Sequence, residues 1–188
     1  MSTREVLVTA ALKVLEHEGE SAFSTRRMCA MAGVTAPTLY HHFGSADGLL
    51  SAAIVEAFAQ FLANKKAEVL SDDPEVALRQ GWDNYVRFAA ERPRLYSAML
   101  VRVLQGVSIP AADAARALLM ERIDALAAAG RLAMDSHAAA DLAWASAHAA
   151  SSLYVMTPEQ PPDPAVIDGM RDIAMLSICT PIERKKSR

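Results

Sequence analysis

Capping and breaker residues recur along this chain at helix-length intervals, and almost nothing in it alternates in the manner of a strand. Leu7, Ala10, Ala11, Val14 and Leu15 form an apolar stripe at helical spacing, and Gly19 is placed to close that helix in a left-handed conformation. Ser24 or Thr25 caps a second helix whose inward positions are Met28, Cys29 and Ala32, and Gly33 ends it. Thr35 caps a third, very short helix with Pro37 in its first turn, where a missing N–H costs nothing; Leu39 and Phe43 share its inward face. Ser45 opens a long helix to about Lys66, with Leu49, Leu50, Ile54, Ala57, Phe58 and Phe61 as its buried stripe. Further starts fall at "SDDP" (71–74), Pro93, Pro110, "MDSH" (134–137) and Pro164, with stops at Gly106 and Gly130, a loop "TPEQPPDP" (157–164), and a short basic tail that frays. The expectation is an all-α fold of about nine helices.

Composition narrows the class. Of 188 residues, 52% are apolar and 22% charged, which suits a packed helical core rather than a disordered chain. Two cysteines, Cys29 and Cys179, are too few for a disulfide framework, and Lys13, Glu16 and Glu18 interrupt what would be the apolar core of a secretory signal. No run of 18 consecutive apolar residues is present, so a cytoplasmic protein without a membrane partner is expected. The net charge of −3 argues against an indiscriminate polycation and leaves room for a local positive face.

The first three helices carry the sharpest functional signal. Two short helices joined by a tight turn at Gly33 have the form of a helix-turn-helix. With Leu39 and Phe43 inward, the outward arc of the third helix holds Ala36, Thr38, Tyr40, His41 and His42, short groups suited to base edges and the thymine methyl. Tyr40 and His42 are placed for flanking phosphates, as is Thr25 at the start of the second helix, while Arg26 is a bidentate donor for guanine or phosphate. The adjacent histidines His41 and His42 make a poor metal site. Neighbouring side chains on a helix point about 100° apart, and only His17 lies nearby in sequence. No nucleophile–base–orienter set is visible, so no catalytic role, metal or cofactor is expected.

Residues 24–50, "STRRMCAMAGVTAPTLYHHFGSADGLL", resemble the DNA-binding signature of TetR-family transcriptional regulators. The resemblance covers roughly the first fifty residues. It implies a homodimer reading a palindromic operator, usually as a repressor released by a small-molecule effector. It also implies phosphate contacts at Tyr40 and His42 and a recognition face of Thr35, Ala36, Pro37, Thr38 and His41. The family usually has lysine after the serine that opens helix four; this chain has Ala46. Gly48 weakens the same helical turn by up to about 1 kcal/mol relative to alanine. Over residues 1–45, Arg4, Lys13, Arg26 and Arg27 are balanced by Glu5, Glu16, Glu18 and Glu20, which predicts weaker non-specific DNA binding and a shallower salt dependence than in a lysine-rich relative.

The rest of the chain is less specific. Trp82, Tyr85 and Phe88 share a helical face, as do Trp144 and His148; with Met99, Val103 and Met120 these are candidate walls of an apolar effector pocket, or else plain core. "DLAWASAHAASSLY" is similar to a Trp-x-x-x-His motif of some C-terminal TetR-family domains. Arg102 either snorkels to water or pairs with an anionic ligand. The last two helices suit a four-helix homodimer interface. The expected organisation is a helix-turn-helix domain over 1–45 and an effector-binding and dimerisation domain over 46–188, sharing helix four. The alternative is a helix-bundle small-molecule-binding module with lost or weak DNA binding.

Overall fold

A computed structural model describes residues 1–67, 71–107, 109–156 and 159–180. Among these, nine α-helices and one 3-10 turn account for the regular structure: α1 (Thr3–Glu18), the turn (Glu20–Ala22), α2 (Thr25–Ala32), α3 (Ala36–Phe43), α4 (Ala46–Ala67), α5 (Pro74–Glu91), α6 (Pro93–Leu104), α7 (Pro110–Ala128), α8 (Ser136–Met156) and α9 (Pro164–Ile178). The fold is all-α, and the one extended pairing among the described residues is an isolated bridge between Leu132 and Cys179. The basic tail and residues 157–158 of the proline-rich loop lie outside the described residues.

Local chemistry explains the helix starts. Ser2 and Glu5 form a reciprocal capping box on α1, the Glu5 carboxylate accepting from the Ser2 N–H at 2.8 Å. Ser24, rather than Thr25, caps α2 by accepting from the Arg27 N–H. Ser45 caps α4, Asp73 caps α5 ahead of Pro74, Asp135 caps α8 and Asp163 caps α9 ahead of Pro164. Thr35 occupies the cap position of α3 without accepting an amide; its hydroxyl lies 3.0 Å from that of Thr38 instead. Pro37 removes one of the donors such a cap would serve.

By its backbone contacts the chain forms two compact units, Met1–Lys66 with Arg92–Asp113, and Ala67–Glu91 with Ala114–Arg188. Compactness therefore draws α6 into the N-terminal unit, a grouping different from the division by function at residue 45. In the first unit, Leu7, Val8, Ala11 and Val14 of α1 meet Met28 and Cys29 of α2, Leu39 of α3, and Leu49 and Ala53 of α4 in one buried cluster. Burying such a set of side chains stabilises the unit by roughly 1.5–3 kcal/mol for each large residue.

Along α4 the buried stripe is Leu49, Leu50, Ala53, Ile54, Ala57, Phe58 and Leu62; Phe61 lies off it, half-buried, with its ring 5.6 Å from that of Phe58. Residues Ala46–Ala63 of this helix are long and apolar enough to cross a membrane by length and mean hydropathy (1.4) alone. The two acids within the window, Asp47 and Glu56, and the burial of its apolar face in the unit's own core give the pattern of a core helix.

α6 is tied to the first unit by arginines. Arg94 donates to the His17 carbonyl, Arg92 lies 3.5 Å from Glu16, and Arg102 is buried, 2.6 Å from Asp47 and 3.5 Å from Glu20. Arg102 thus neither snorkels nor waits for an anion, because its charge is met by two carboxylates of its own unit. The guanidinium beside Asp47 holds that carboxyl below the usual range.

The second unit is built on α5, α8 and α9, each packed on the other two. Large side chains of α5 meet a face of α8 made of Ala139, Ala140, Ala143, Ala147, Ala150 and Ser151. Around this core, Arg131 pairs with Asp73 and Glu75, Arg79 with Asp172, and Arg171 with Asp83, Asp168 and Asp172.

Candidate nucleic-acid interface and the aromatic cluster of the second unit

Gly33 separates α2 from α3 with φ 66° and ψ 33°, the left-handed conformation that glycine adopts without a Cβ penalty. The Val34 N–H donates back to the Cys29 carbonyl at 3.0 Å, so the turn is closed tightly. It delivers α3 with Leu39 fully buried and the opposite arc in solvent. Tyr40 is 48% exposed, and Pro37, His41 and His42 are exposed. Thr38 is half-buried, and Ala36 packs partly against the core cluster, so the outward arc is narrower than the residue spacing suggests. Thr35, on the turn before the helix, is exposed.

The Tyr40 hydroxyl approaches the Thr25 hydroxyl at 3.5 Å, joining the start of α2 to the middle of α3. The His41 and His42 rings meet edge-on at 5.3 Å. No group of three or more His, Cys, Asp and Glu side chains is assembled for a metal ion among the described residues.

Electrostatics around this face differ from the linear count. Arg27 makes a two-pronged pair with Glu18, while Arg26 is exposed and meets no carboxylate among the described residues. Glu16 faces Arg92, the residue before α6, Glu20 faces Arg102 on that helix, and Glu5 serves the α1 cap. With Arg92, Arg94 and Arg102 included, the first unit holds nine Lys and Arg against seven Asp and Glu, a net of +2, and the second holds ten against fifteen, a net of −5. The expected cancellation over residues 1–45 therefore omits the arginines that α6 brings.

In the second unit, Tyr85 and His148 are brought together with Trp144. The Tyr85 hydroxyl lies 3.2 Å from His148 Nε2, and the three rings stand 4.9–5.7 Å apart, His148 edge-on to both partners. Burial pushes the His148 imidazole below its ordinary pKa, which favours the neutral ring. The buried Trp82 indole donates to Ser146 at 2.9 Å, a partner that spacing alone gave no reason to single out. Phe88 is buried and Met120 half-buried in this unit. Met99, buried, and Val103, exposed, lie on α6 in the first unit.

A short exposed helix, entered by a glycine turn and mounted on two buried helices, defines a helix-turn-helix protein. Residues 7–53 match the bacterial regulatory proteins of the tetR family, so the chain carries a tetR-family DNA-binding domain. The HTH-type transcriptional repressor NicS of Pseudomonas putida is 32% identical over 90 residues, a stretch covering 45% of this chain and 42% of that protein. The match thus spans less than half the length of that relative. A protein of unknown function from Rhodococcus sp. RHA1 has the same fold, with a TM-score of 0.80 at 23% identity over 96% of this chain and 97% of its own. A TetR transcription regulator from Haloarcula marismortui gives 0.70 at 18% identity, covering 95% and 98%. At these identities the structural likeness speaks for the fold.

Proposed function

We propose that this protein is a cytoplasmic, ligand-responsive transcriptional regulator that binds a palindromic operator as a homodimer and acts as a repressor. The exposed arc of α3 carries the reading: aromatic, imidazole and hydroxyl groups stand in solvent on a helix whose other side is anchored by Leu39. In this reading Thr35, Pro37, Thr38 and His41 face base edges, with Ala36 beside them, while Tyr40, His42, Thr25 and Arg26 hold phosphates and fix register. The relative named a repressor supports the sign of the output. Two-fold symmetry would come from α8 and α9, where Met156, Val166, Ile173 and Leu176 stand exposed.

The effector would be bound in the second unit beside Tyr85, Trp144 and His148, a neutral aromatic surround with hydrogen-bonding capacity. Such an effector releases DNA only to the extent that it prefers a state in which the recognition helices are wrongly spaced. Fluorescence anisotropy with a duplex carrying a palindrome from the gene's own upstream region tests the reading. Saturable binding is expected, weakened about ten- to a hundredfold in the Thr38→Ala, Tyr40→Ala double variant. Absence of binding to that duplex at low salt would leave a helix-bundle binding module in its place.

A further inference from the structure

α1 begins with a cation where its own electrostatics would select against one. The aligned peptide dipoles leave partial positive charge at a helix N-terminus, so acids belong in the first turn and bases in the last. Arg4 stands at the second position of α1. Its neighbour Glu5 offers no relief, because that carboxylate is turned back onto the Ser2 N–H in the capping box. Arg4 is exposed and meets no carboxylate within ion-pair distance among the described residues.

The guanidinium instead lies over the ring of Phe43, 5.5 Å from its centroid. Phe43 is the last residue of α3, and the His42 ring lies 6.2 Å from its ring, the two planes tilted to each other. Arg4 is therefore placed from a different helix at the α3–α4 junction, on the edge where His42 is exposed. The capping box orders the turn that carries it, and the aromatic face restrains the side chain, so little freedom remains to be lost on contact with an anion. The adjoining first turn of α4 has Ala46 and the paired Asp47, and supplies no cation of its own.

We infer that Arg4 is a phosphate-contacting residue of the DNA-binding face, supplying at the α3–α4 junction the positive charge that α4 lacks. The inference rests on the DNA-binding reading above and adds to it a residue outside the helix-turn-helix signature. An arginine kept against the helix dipole and left unpaired is explained by an external anion, and a duplex presents phosphates along the edge of the groove that α3 would occupy.

The test is the salt dependence of binding by the full chain to the labelled palindromic duplex and to a scrambled duplex of equal length. Arg4→Ala and Arg4→Gln are expected to weaken binding to both duplexes, and to make the slope of log K against log salt shallower by about 0.9. Arg4→Lys is expected to keep most of the slope, and adding Ala46→Lys to Arg4→Ala to restore it. Thermal unfolding of Arg4→Ala is expected to stay at the wild-type midpoint or rise, because a cation is removed from a helix N-terminus. A wild-type slope in Arg4→Ala, or a lowered midpoint with unchanged slope, overturns the role for Arg4 and leaves the DNA-binding reading standing. A wild-type protein that binds neither duplex removes both.

Discussion

A buried arginine in one unit and a half-buried histidine in the other are held by partners distant in sequence. Arg102 meets Asp47 and Glu20 from another helix, and His148 meets Tyr85 in a cluster completed by Trp144. The imidazole has a testable consequence. Its folded-state pKa lies below the ordinary value of 6.5 because burial disfavours the charged ring. Between the two values the unfolded chain binds more protons, so stability is complete above about pH 7 and declines as pH falls through 6.5. The midpoint of urea unfolding is expected to drop between pH 7.5 and 5.5, and His148→Gln to flatten that drop. Asp47, Asp73 and Asp172 act in a separate window. Their pKa values are lowered by hydrogen bonds and arginine partners, so the stability they contribute is lost only as pH falls below the unfolded value of 3.8. A midpoint constant from pH 7.5 to 5.5 would show that His148 is equally solvated in both states.

At the level of the elements, the junction of α3 with α4 shows how close approach reverses a propensity argument. Helix propensity counts Gly48 as a weakness of the first turn of α4, and predicts a gain of up to about 1 kcal/mol for alanine. The structure brings the Phe43 carbonyl against this position, where a Cβ would lie 2.1 Å from its oxygen. No backbone atom can yield that much without moving one helix off the other. Gly48→Ala is therefore expected to destabilise by about 1–3 kcal/mol, read by urea unfolding, rather than to stabilise. Gly169, on α9, has nothing within 4 Å of its virtual Cβ, and there the propensity argument faces no such obstacle. An unchanged or raised midpoint for Gly48→Ala would mean that α4 enters its helix differently.

The whole molecule separates both charge and exposed apolar surface. The N-terminal unit carries +2 and the other −5, so the net −3 of the chain conceals a unit whose sign suits a polyanion. On α9, Val166, Ile173 and Leu176 repeat along one face at 50–78% exposure, and Met156 ends α8 at 75%. Large apolar groups so regularly placed in solvent suit an association surface, and the proposed function puts a second copy of the chain there. Ile173→Arg with Leu176→Arg is expected to convert a dimer to a monomer by sedimentation, leave the helical circular dichroism intact, and weaken operator binding at least about tenfold through loss of the linked half-site. A double variant that sediments as the wild type does would move the interface elsewhere.

What the sequence determined by itself was local. Caps, proline starts and glycine stops act within about four residues, so the helix order, the tight turn at Gly33 and the exposed Tyr40, His41 and His42 were all legible from neighbours in the chain. Only the tertiary structure decided which charges cancel, because Glu16 finds Arg92 just before α6, Glu20 finds Arg102 on it, and Arg102 its carboxylates on the turn after α1 and on α4. It also decided that Gly48 must lack a side chain, that Ser146 serves Trp82, and that Arg4 stands beside Phe43. The physical reason is range: turns and caps are settled by backbone geometry over one helical turn, whereas ion pairs and steric approach depend on surfaces that chain proximity does not specify.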